Sequence, residues 1–122
     1  MNALLIRSPH IEKILQGIKT WEIRGSRTQV RGTIGLVRSG SGMVVGTCEI
    51  VDCLGPLTRE EFRRNARRAG LKPAEAASGY VKTFAWVLAN VRHLRKPVLY
   101  EHPRGAVIWV KLDTRTTKAA LR

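Results

Sequence analysis

The segment from Lys19 to Arg24 carries the densest set of chemically capable side chains in the chain. Two cations, Lys19 and Arg24, flank a hydroxyl, Thr20, and a carboxylate, Glu22, within six residues. If the segment is a strand, Thr20, Glu22 and Arg24 point to one face, because side chains alternate along a strand. The cations would then grip phosphate or base edges while Glu22 accepts a hydrogen bond from an exocyclic amine. The spacing therefore predicts a binding site for a nucleotide-like ligand.

The same side chains also support a catalytic interpretation. Desolvation lowers the pKa of a lysine, so a buried Lys19 could act as a base, with Glu22 or Glu49 as the proton donor. Replacing Lys19 with alanine is then expected to abolish turnover and weaken ligand binding while the melting temperature hardly changes. A third interpretation is an exposed strand with surface ion pairs worth about 0–1 kcal/mol. The spacing alone is compatible with all three.

Short elements on either side position this segment. Residues 3–6 are apolar and predict a buried strand. Ser8 and Pro9 have the pattern of a helix N-cap followed by proline at the first helical position, and Gly17 is typical of the residue that ends a helix. The apolar residues between them fall on one helical face: Ile11, Ile14, Leu15 and Ile18.

A second helix is predicted from Leu57 to Gly70. Thr58 and Glu61 have the spacing of a capping box. An apolar stripe turns toward the core, and arginines cover the rest of the helix. We expect three of these arginines to face solvent and contact phosphates, the alternative being a solvated charged face: Arg63, Arg64 and Arg67.

The remaining sequence predicts further strands. Residues 33–38 and 43–54 suit a hairpin, residues 83–94 a long strand ended by Lys96 and Pro97, and residues 106–112 a last strand. The polar tail from Thr114 is predicted to be frayed. We therefore expect one α+β domain over residues 1–122, with its core at about 3–112. Its architecture would be a small, mostly antiparallel β-barrel of five to six strands with two to three short helices.

The charge indicates the partner. The chain carries 22 basic and 9 acidic residues, a formal net charge of +13, and arginines outnumber lysines 15 to 7. Such a charge favours a polyanion, and arginine forks phosphates and stacks on bases, which fits RNA, with DNA as a further candidate. Trp21, on the opposite face of its strand, is a candidate for base stacking. The charge disfavours a protein-interaction domain in which it only maintains solubility.

Other classes of protein are disfavoured. The N-terminus lacks the features of a signal peptide, and the longest apolar run, Phe84 to Ala89, is too short to span a bilayer. Cys48 and Cys53, if both lie on one strand, are roughly 16 Å apart and beyond disulfide reach. We expect a cytoplasmic protein with no cofactor, no metal and no membrane partner. Scattered positions argue against a metal or triad role for the histidines: His10, His93 and His102.

The stretch from Leu5 to Arg24 resembles the N-terminal signature of ASCH (activating-signal cointegrator homology) domains. That signature is a strand, an Arg-x-Pro-like turn, a helix and then Gly-x-Lys-x-x-Glu-x-Arg. This chain matches its fixed positions with Gly17, Lys19, Glu22 and Arg24. Further likenesses extend the resemblance over residues 3–112: Gly46–Ile50, Trp86–Leu88, Lys96–Val98 and Ile108–Trp109.

The resemblance implies a PUA-like β-barrel with a cleft lined by the Lys19–Arg24 strand, and a role in RNA metabolism. Some ASCH proteins bind RNA or DNA, some small bacterial relatives deacetylate acetylcytidine, and others are described as ribonucleases. The deacetylating amidohydrolases carry a lysine followed three residues later by threonine, with a distant glutamate. This chain has Lys19, but Glu22 stands in the place of the threonine.

The predicted ligand is therefore RNA or a modified nucleoside. A closed, nucleoside-sized cavity around Lys19 would favour a metal-independent nucleoside amidohydrolase or ribonuclease, and an open groove would favour a binding protein. The candidate catalytic residues are Lys19, Glu22 and Glu49. The candidate ligand contacts near the motif are Arg7, Ser8, Thr20, Trp21 and Arg24.

Overall fold

The 122 residues, all of which the computed structural model describes, form one curled six-stranded half-barrel with three short helices. The predicted α+β, PUA-like fold is thereby confirmed. The elements in chain order are β1 (Asn2–Ile6), α1 (His10–Leu15), β2 (Trp21–Arg24), β3 (Gly32–Arg38), β4 (Met43–Leu54), α2 (Arg59–Arg64), β5 (Phe84–Leu99), β6 (Trp109–Lys111) and α3 (Thr114–Leu121). Two 3-10 turns, Ala66–Ala69 and Pro73–Glu75, follow α2. No helix has the length and the apolar run that crossing a bilayer requires.

The strand order leaves β2 at one edge of the sheet and β6 at the other. The order is β2-β5-β4-β3-β1-β6, and only β1 and β3 run parallel. The predicted hairpin is confirmed, because β3 and β4 pair antiparallel from Gly32 opposite Ile50 to Val37 opposite Val44. Because the sheet curls, β2 at one edge approaches the end of β1 beside the other edge, where Arg24 Nη2 donates to the Leu5 carbonyl, and a gap remains between them.

The helix α1 covers the main core. Ile11 and Ile14 are fully buried and pack in one cluster with Leu4 and Ile34 of the sheet. Gly17 ends the helix at a φ of +78°, in the left-handed conformation that the sequence predicted. This turn leads the chain directly into the motif segment.

The predicted capping box of α2 is confirmed. The Thr58 hydroxyl accepts a hydrogen bond from the Glu61 N–H at 3.0 Å, and the Thr58 N–H donates to the Glu61 carboxylate at 2.9 Å. The prediction of one continuous helix to Gly70 is wrong, because the α-helix ends at Arg64 and a 3-10 turn follows. Asn65 leaves the helical conformation, with φ −110° and ψ 15°, and its side-chain amide donates to the Glu61 carbonyl at 2.8 Å.

The predicted apolar stripe holds both parts of this segment on the sheet. Phe62, Ala66 and Ala69 are all buried. Phe62 and Ala69 pack with Trp21 of β2 and Ala85 of β5. Arg63, Arg64 and Arg67 are exposed, as the stripe requires.

The C-terminal residues form α3, so the prediction of a frayed tail is wrong. The Asp113 carboxylate accepts a hydrogen bond from the Thr116 N–H at 2.7 Å and caps the helix. Ala120 is fully buried in the second core cluster, and the N-terminal ammonium donates to the Thr117 hydroxyl at 3.2 Å. An aspartate before a short helix is a recognisable cap, but the polar composition of the tail obscured it.

Three further boundaries differ from the sequence prediction. β5 continues past Lys96 and Pro97 to Leu99, because its register with β4 shifts there and leaves Pro97 outside the ladder. β6 keeps only Trp109–Lys111 of the predicted strand. Ser8 does not cap α1, since its hydroxyl donates to the Glu12 carboxylate at 3.0 Å and the helix begins at His10.

Candidate nucleic-acid site

A cleft of about 860 Å³ opens in the gap between β2 and the end of β1. Lys19, Glu22 and Arg24 of the predicted motif line it, and so does Arg7, which follows β1 directly. The loops over residues 71–80 and 102–108 contribute the rim. A cleft of this size falls within the range of about 300–1,000 Å³ that small-molecule sites occupy.

The turn at Gly17 carries Lys19 into the protein interior. The Lys19 N–H donates to the Lys13 carbonyl at 3.1 Å, which folds the chain back under α1. Lys19 is only 2% exposed. Its Nζ donates to the Ala69 carbonyl at 2.9 Å and lies 3.4 Å from Glu22 Oε1. Burial lowers the pKa of Lys19 below its ordinary value, although the Glu22 carboxylate opposes this shift.

Lys19 also has a structural role, because it hydrogen-bonds a backbone carbonyl at the end of the 3-10 turn after α2. Three consecutive carbonyls at that end accept hydrogen bonds from the first part of the chain. The Arg68 carbonyl accepts from the Thr20 N–H at 2.8 Å, and the Gly70 carbonyl accepts from Lys13 Nζ at 2.7 Å. Lys19 Nζ donates to the Ala69 carbonyl, which lies between these two in the sequence. We therefore correct the expectation that removing Lys19 would hardly change the melting temperature.

Glu22, which is buried, and Arg24, which is half-buried, form an ion pair that ties β2 to β1. The carboxylate Oε2 of Glu22, which is 6% exposed, accepts from Arg24 Nη2 at 2.8 Å and from Arg24 Nε at 3.1 Å. Arg24 Nη2 also donates to the Leu5 carbonyl at 3.0 Å, across the gap between the strands. Glu22 therefore neutralises both motif cations while Arg24 fixes the width of the cleft.

An aromatic stack supports Arg24 from below. The guanidinium lies 5.6 Å from the centre of the Trp86 ring, within the range of a cation–π interaction. The Trp86 and Trp109 rings stack at 5.8 Å with an interplanar angle of 13°. Trp86 Nε1 donates to the Ser26 carbonyl at 2.9 Å, which fixes the ring in place. The motif arginine is thus held from several directions.

Arg7 is the cation of the cleft that has no partner within the protein. It is exposed, and its guanidinium forms neither a hydrogen bond nor a salt bridge with another residue. Lys19 and Arg24, in contrast, share the Glu22 carboxylate. A positive charge that is not neutralised locally is therefore available at one end of the cleft.

Besides Arg63, Arg64 and Arg67, four predicted site residues lie outside the cleft. Ser8 is exposed and bonded to Glu12, and Thr20 contributes its backbone to the contact with the 3-10 turn. Trp21 is buried under α2, with the Arg68 guanidinium 5.8 Å from its ring centre. Glu49 accepts a hydrogen bond from the Asn90 side chain on the β4–β5 face of the sheet. The structure does not bring Glu49 to Lys19.

The cleft also contains residues that sequence reasoning did not select. His10 and His102 line it, although their separation in the sequence gave no signal that the fold would bring them to one site. The Tyr80 ring packs on Gly25, where an added Cβ would lie 2.7 Å from Tyr80 Cδ1. Only the tertiary structure places these side chains together.

The arginine-rich segment presents a second basic surface. Its six cations and two acids between Arg59 and Lys72 give a net charge of +4. Phe62 and Ala69 line the cleft from the inner side of this segment, whereas its arginines point outward. The basic surface is therefore on the outside of one cleft wall.

The conserved-sequence model of the ASCH domain matches residues 4–98. The chain belongs to the ASCH domain family. ASCH domains generally bind nucleic acid, RNA in particular. No curated protein sequence matches the chain significantly.

Solved structures of an ASCH protein from Zymomonas mobilis have the same fold. A tyrosine-to-phenylalanine variant matches with a TM-score of 0.71 and 17% identity over 98% of this chain and 95% of that chain. A serine-to-alanine variant gives the same TM-score and identity over 98% and 93%. A further structure of that ASCH protein gives 0.68 and 15% over 98% and 92%. At these identities the likeness shows the fold alone.

Proposed function

We propose that this ASCH domain binds RNA by holding an unpaired nucleotide in the cleft between β1 and β2, and that it acts in RNA metabolism. The observation that carries this proposal is Arg7, an exposed cation without an internal partner at the end of the cleft. A phosphate is the natural ligand for such a guanidinium. The neighbouring Lys19, Glu22 and Arg24 hold the floor rigid beside it.

The rim of the cleft suits a base. Tyr80, Val107 and Ile108 line it and are 49%, 76% and 45% exposed. Aromatic and apolar surfaces of this kind accept the face of any base, since stacking does not depend on base identity. The exposed rim favours the binding of a nucleotide within a longer strand, because the flanking phosphates can leave the cleft.

The basic surface of α2 and the following 3-10 turn supplies the sequence-independent part of the affinity. Arg63, Arg64 and Arg67 are exposed and are separated from the cleft only by the thickness of one wall. Contacts between such arginines and phosphates release counterions and strengthen binding at low salt. These arginines would bind the phosphates of DNA equally well, so the preference for RNA would come from the cleft.

The test compares two single-arginine variants in titrations with a labelled single-stranded RNA of mixed sequence. Arg7→Ala removes the free cation of the cleft, whereas Arg115→Ala removes an exposed cation from α3 and changes the net charge equally. We expect Arg7→Ala to weaken binding several-fold more than Arg115→Ala. Equal effects of the two changes would show that the cleft does not contact the RNA.

A hydrolase is the second candidate function, and the burial of Lys19 favours it. A lysine whose pKa is lowered by desolvation can lose its proton and act as a general base, and Glu22 is close enough to exchange protons with it. We infer that any such chemistry would use Glu22 rather than Glu49, because Glu49 lies outside the cleft and is bonded to Asn90.

Turnover of N4-acetylcytidine and cleavage of single-stranded RNA test this second function. The wild type is compared with Lys19→Met, which keeps much of the buried stem but removes the amine. Turnover by the wild type that the variant loses while it still binds RNA would support a hydrolase. Binding of RNA without turnover of either compound would leave the protein a binding domain.

A further inference from the structure

His10 is an imidazole in the cleft without a hydrogen-bond partner in the protein. Its Nδ1 is the one buried side-chain nitrogen or oxygen in the chain that lacks a partner, and its Nε2 forms no hydrogen bond with the protein either. Buried polar groups in folded proteins nearly always have partners, so an unpaired one calls for an explanation such as a bound water, ion or ligand, or a catalytic role. His102, at the rim of the same cleft, has both ring nitrogens satisfied, by Tyr100 Oη at 2.7 Å and the Ala106 carbonyl at 3.0 Å.

The surroundings of His10 favour the neutral form of its ring. Burial lowers the pKa of His10 from its ordinary value of 6.5, Lys19 lowers it further, and Glu22 opposes them in part. Lys13 and Arg24 act in the same direction as Lys19. The other charged groups that line the cleft are Arg7 and Glu75, and the other titratable rings are those of Tyr80 and His102.

Glu22, the carboxylate in the floor of the cleft, has little capacity left to accept a hydrogen bond from a ligand. Both Glu22 oxygens already interact with Lys19 and Arg24. A neutral imidazole carries one acceptor and one donor nitrogen, and rotation about its χ2 angle exchanges the positions of the ring atoms. His10 is therefore the group in the floor best suited to pair with the mixed donors and acceptors of a base edge.

We propose that His10 is a ligand-contacting residue, in which a ring nitrogen hydrogen-bonds the edge of the bound base while Arg7 holds a phosphate. This inference rests on the proposed function, because it requires a nucleotide in the cleft. It adds a contact to the base, whereas Arg7 contacts the phosphate of the nucleotide. Because the neutral ring makes the contact, affinity falls when His10 becomes protonated.

The experiment follows the ring nitrogens of the three histidines by NMR while uridine 5′-monophosphate is added. His10 should shift on binding, and its titration midpoint should move to lower pH, because the nucleotide stabilises the neutral form. His93, exposed on β5 outside the cleft, should not shift and serves as the internal reference. In the absence of nucleotide, the titration midpoint of His10 should already lie below the ordinary value of 6.5.

Two variants separate a ligand contact from a structural role. His10→Phe keeps a ring but removes both nitrogens and should weaken nucleotide binding about tenfold, the size of one hydrogen bond. As the pH falls through the lowered pKa of His10, wild-type affinity should fall further than that of His10→Phe, in which the phosphate of the nucleotide, with a second pKa of about 6, still titrates. His10→Gln, which restores a donor and an acceptor, should recover part of the affinity.

The outcomes distinguish this inference from the proposed function. Nucleotide-induced shifts in the backbone amides of Ile23 and Ile108, without movement of the His10 nitrogens and with unchanged affinity in His10→Phe, would overturn the role of His10 and leave the binding site intact. The absence of any shift in the cleft with this nucleotide, together with RNA affinities that are equal in Arg7→Ala and Arg115→Ala, would overturn both.

Discussion

At the scale of single residues, the motif performs two roles that cannot be separated by spacing alone. Lys19, Glu22 and Arg24 line the cleft, and they also join α1, β1, β2 and the 3-10 turn after α2 through buried contacts. The sequence predicted that these three side chains would lie at one site. It did not predict that Lys19 would be almost fully buried, because the partner carbonyl belongs to Ala69, fifty residues away.

The burial of Lys19 predicts a measurable loss of stability in Lys19→Ala. The free energy of unfolding should fall by about 3 kcal/mol, the lower end of the cost of breaking a buried pair, because Arg24 still neutralises Glu22. Urea denaturation at pH 7 measures this difference. Lys111→Ala, an exposed lysine on β6, is the control and should change the midpoint little. Equal midpoints for the two variants would mean that Lys19 is not held as described.

A second residue-scale prediction concerns the contact between Gly25 and Tyr80. An added methyl group at Gly25 would meet the Tyr80 ring, so Gly25→Ala should displace the ring from the rim of the cleft. Because Tyr80 is about half exposed, the displacement should weaken RNA binding more than it lowers stability. Titration with RNA and thermal unfolding together measure the two effects.

The matched control for Gly25→Ala is Gly79→Ala, in the same loop as Tyr80. An added methyl group at Gly79 would meet no atom within 4 Å, so Gly79→Ala should bind RNA as the wild type does. If Gly25→Ala also binds normally and remains folded, Tyr80 does not contact the ligand.

At the scale of elements, local signals predicted most of the structure, and the misses have physical causes. The Thr58–Glu61 box and the Gly17 turn were recognised because each is a short-range hydrogen-bond pattern. The end of α2 was missed because Asn65 stops the helix through its own side chain. The extension of β5 past Pro97 depends on a register shift against β4, which is a property of two strands and not of one.

The basic surface yields a prediction at this scale. Replacing Arg63, Arg64 and Arg67 together with alanine should weaken RNA binding by a similar factor for all sequences and leave the fold intact, because all three side chains are exposed. The slope of log affinity against log salt should become shallower by up to about 3 units, roughly one for each lost phosphate contact.

A triple lysine variant at the same positions is the control. It keeps the charge and should retain most of the slope. If the alanine variant binds like the wild type at every salt concentration, the arginines form only a solvated face and the RNA contacts lie elsewhere.

At the scale of the whole molecule, the net charge of +13 predicted the kind of partner but not where on the protein that partner binds. The cleft arises because the curled sheet brings β2 near the end of β1, and no local pattern specifies that approach. The same closure gathers Arg7, His10 and the rim residues from distant parts of the chain. The motif was therefore predictable from the sequence, whereas the remaining members of the site required the fold.

Amide NMR mapping of a single-stranded RNA on the labelled protein, at about 50 mM and about 200 mM salt, tests the central claim most directly. We predict that affinity falls steeply between these two salt concentrations, because binding releases counterions. At both concentrations the largest shifts should lie in Ile6, Ile23, Tyr80 and Ile108 around the cleft, with small shifts in α3 at Ala119, which does not line it. An affinity independent of salt, or shifts confined to residues outside the cleft, would contradict the account.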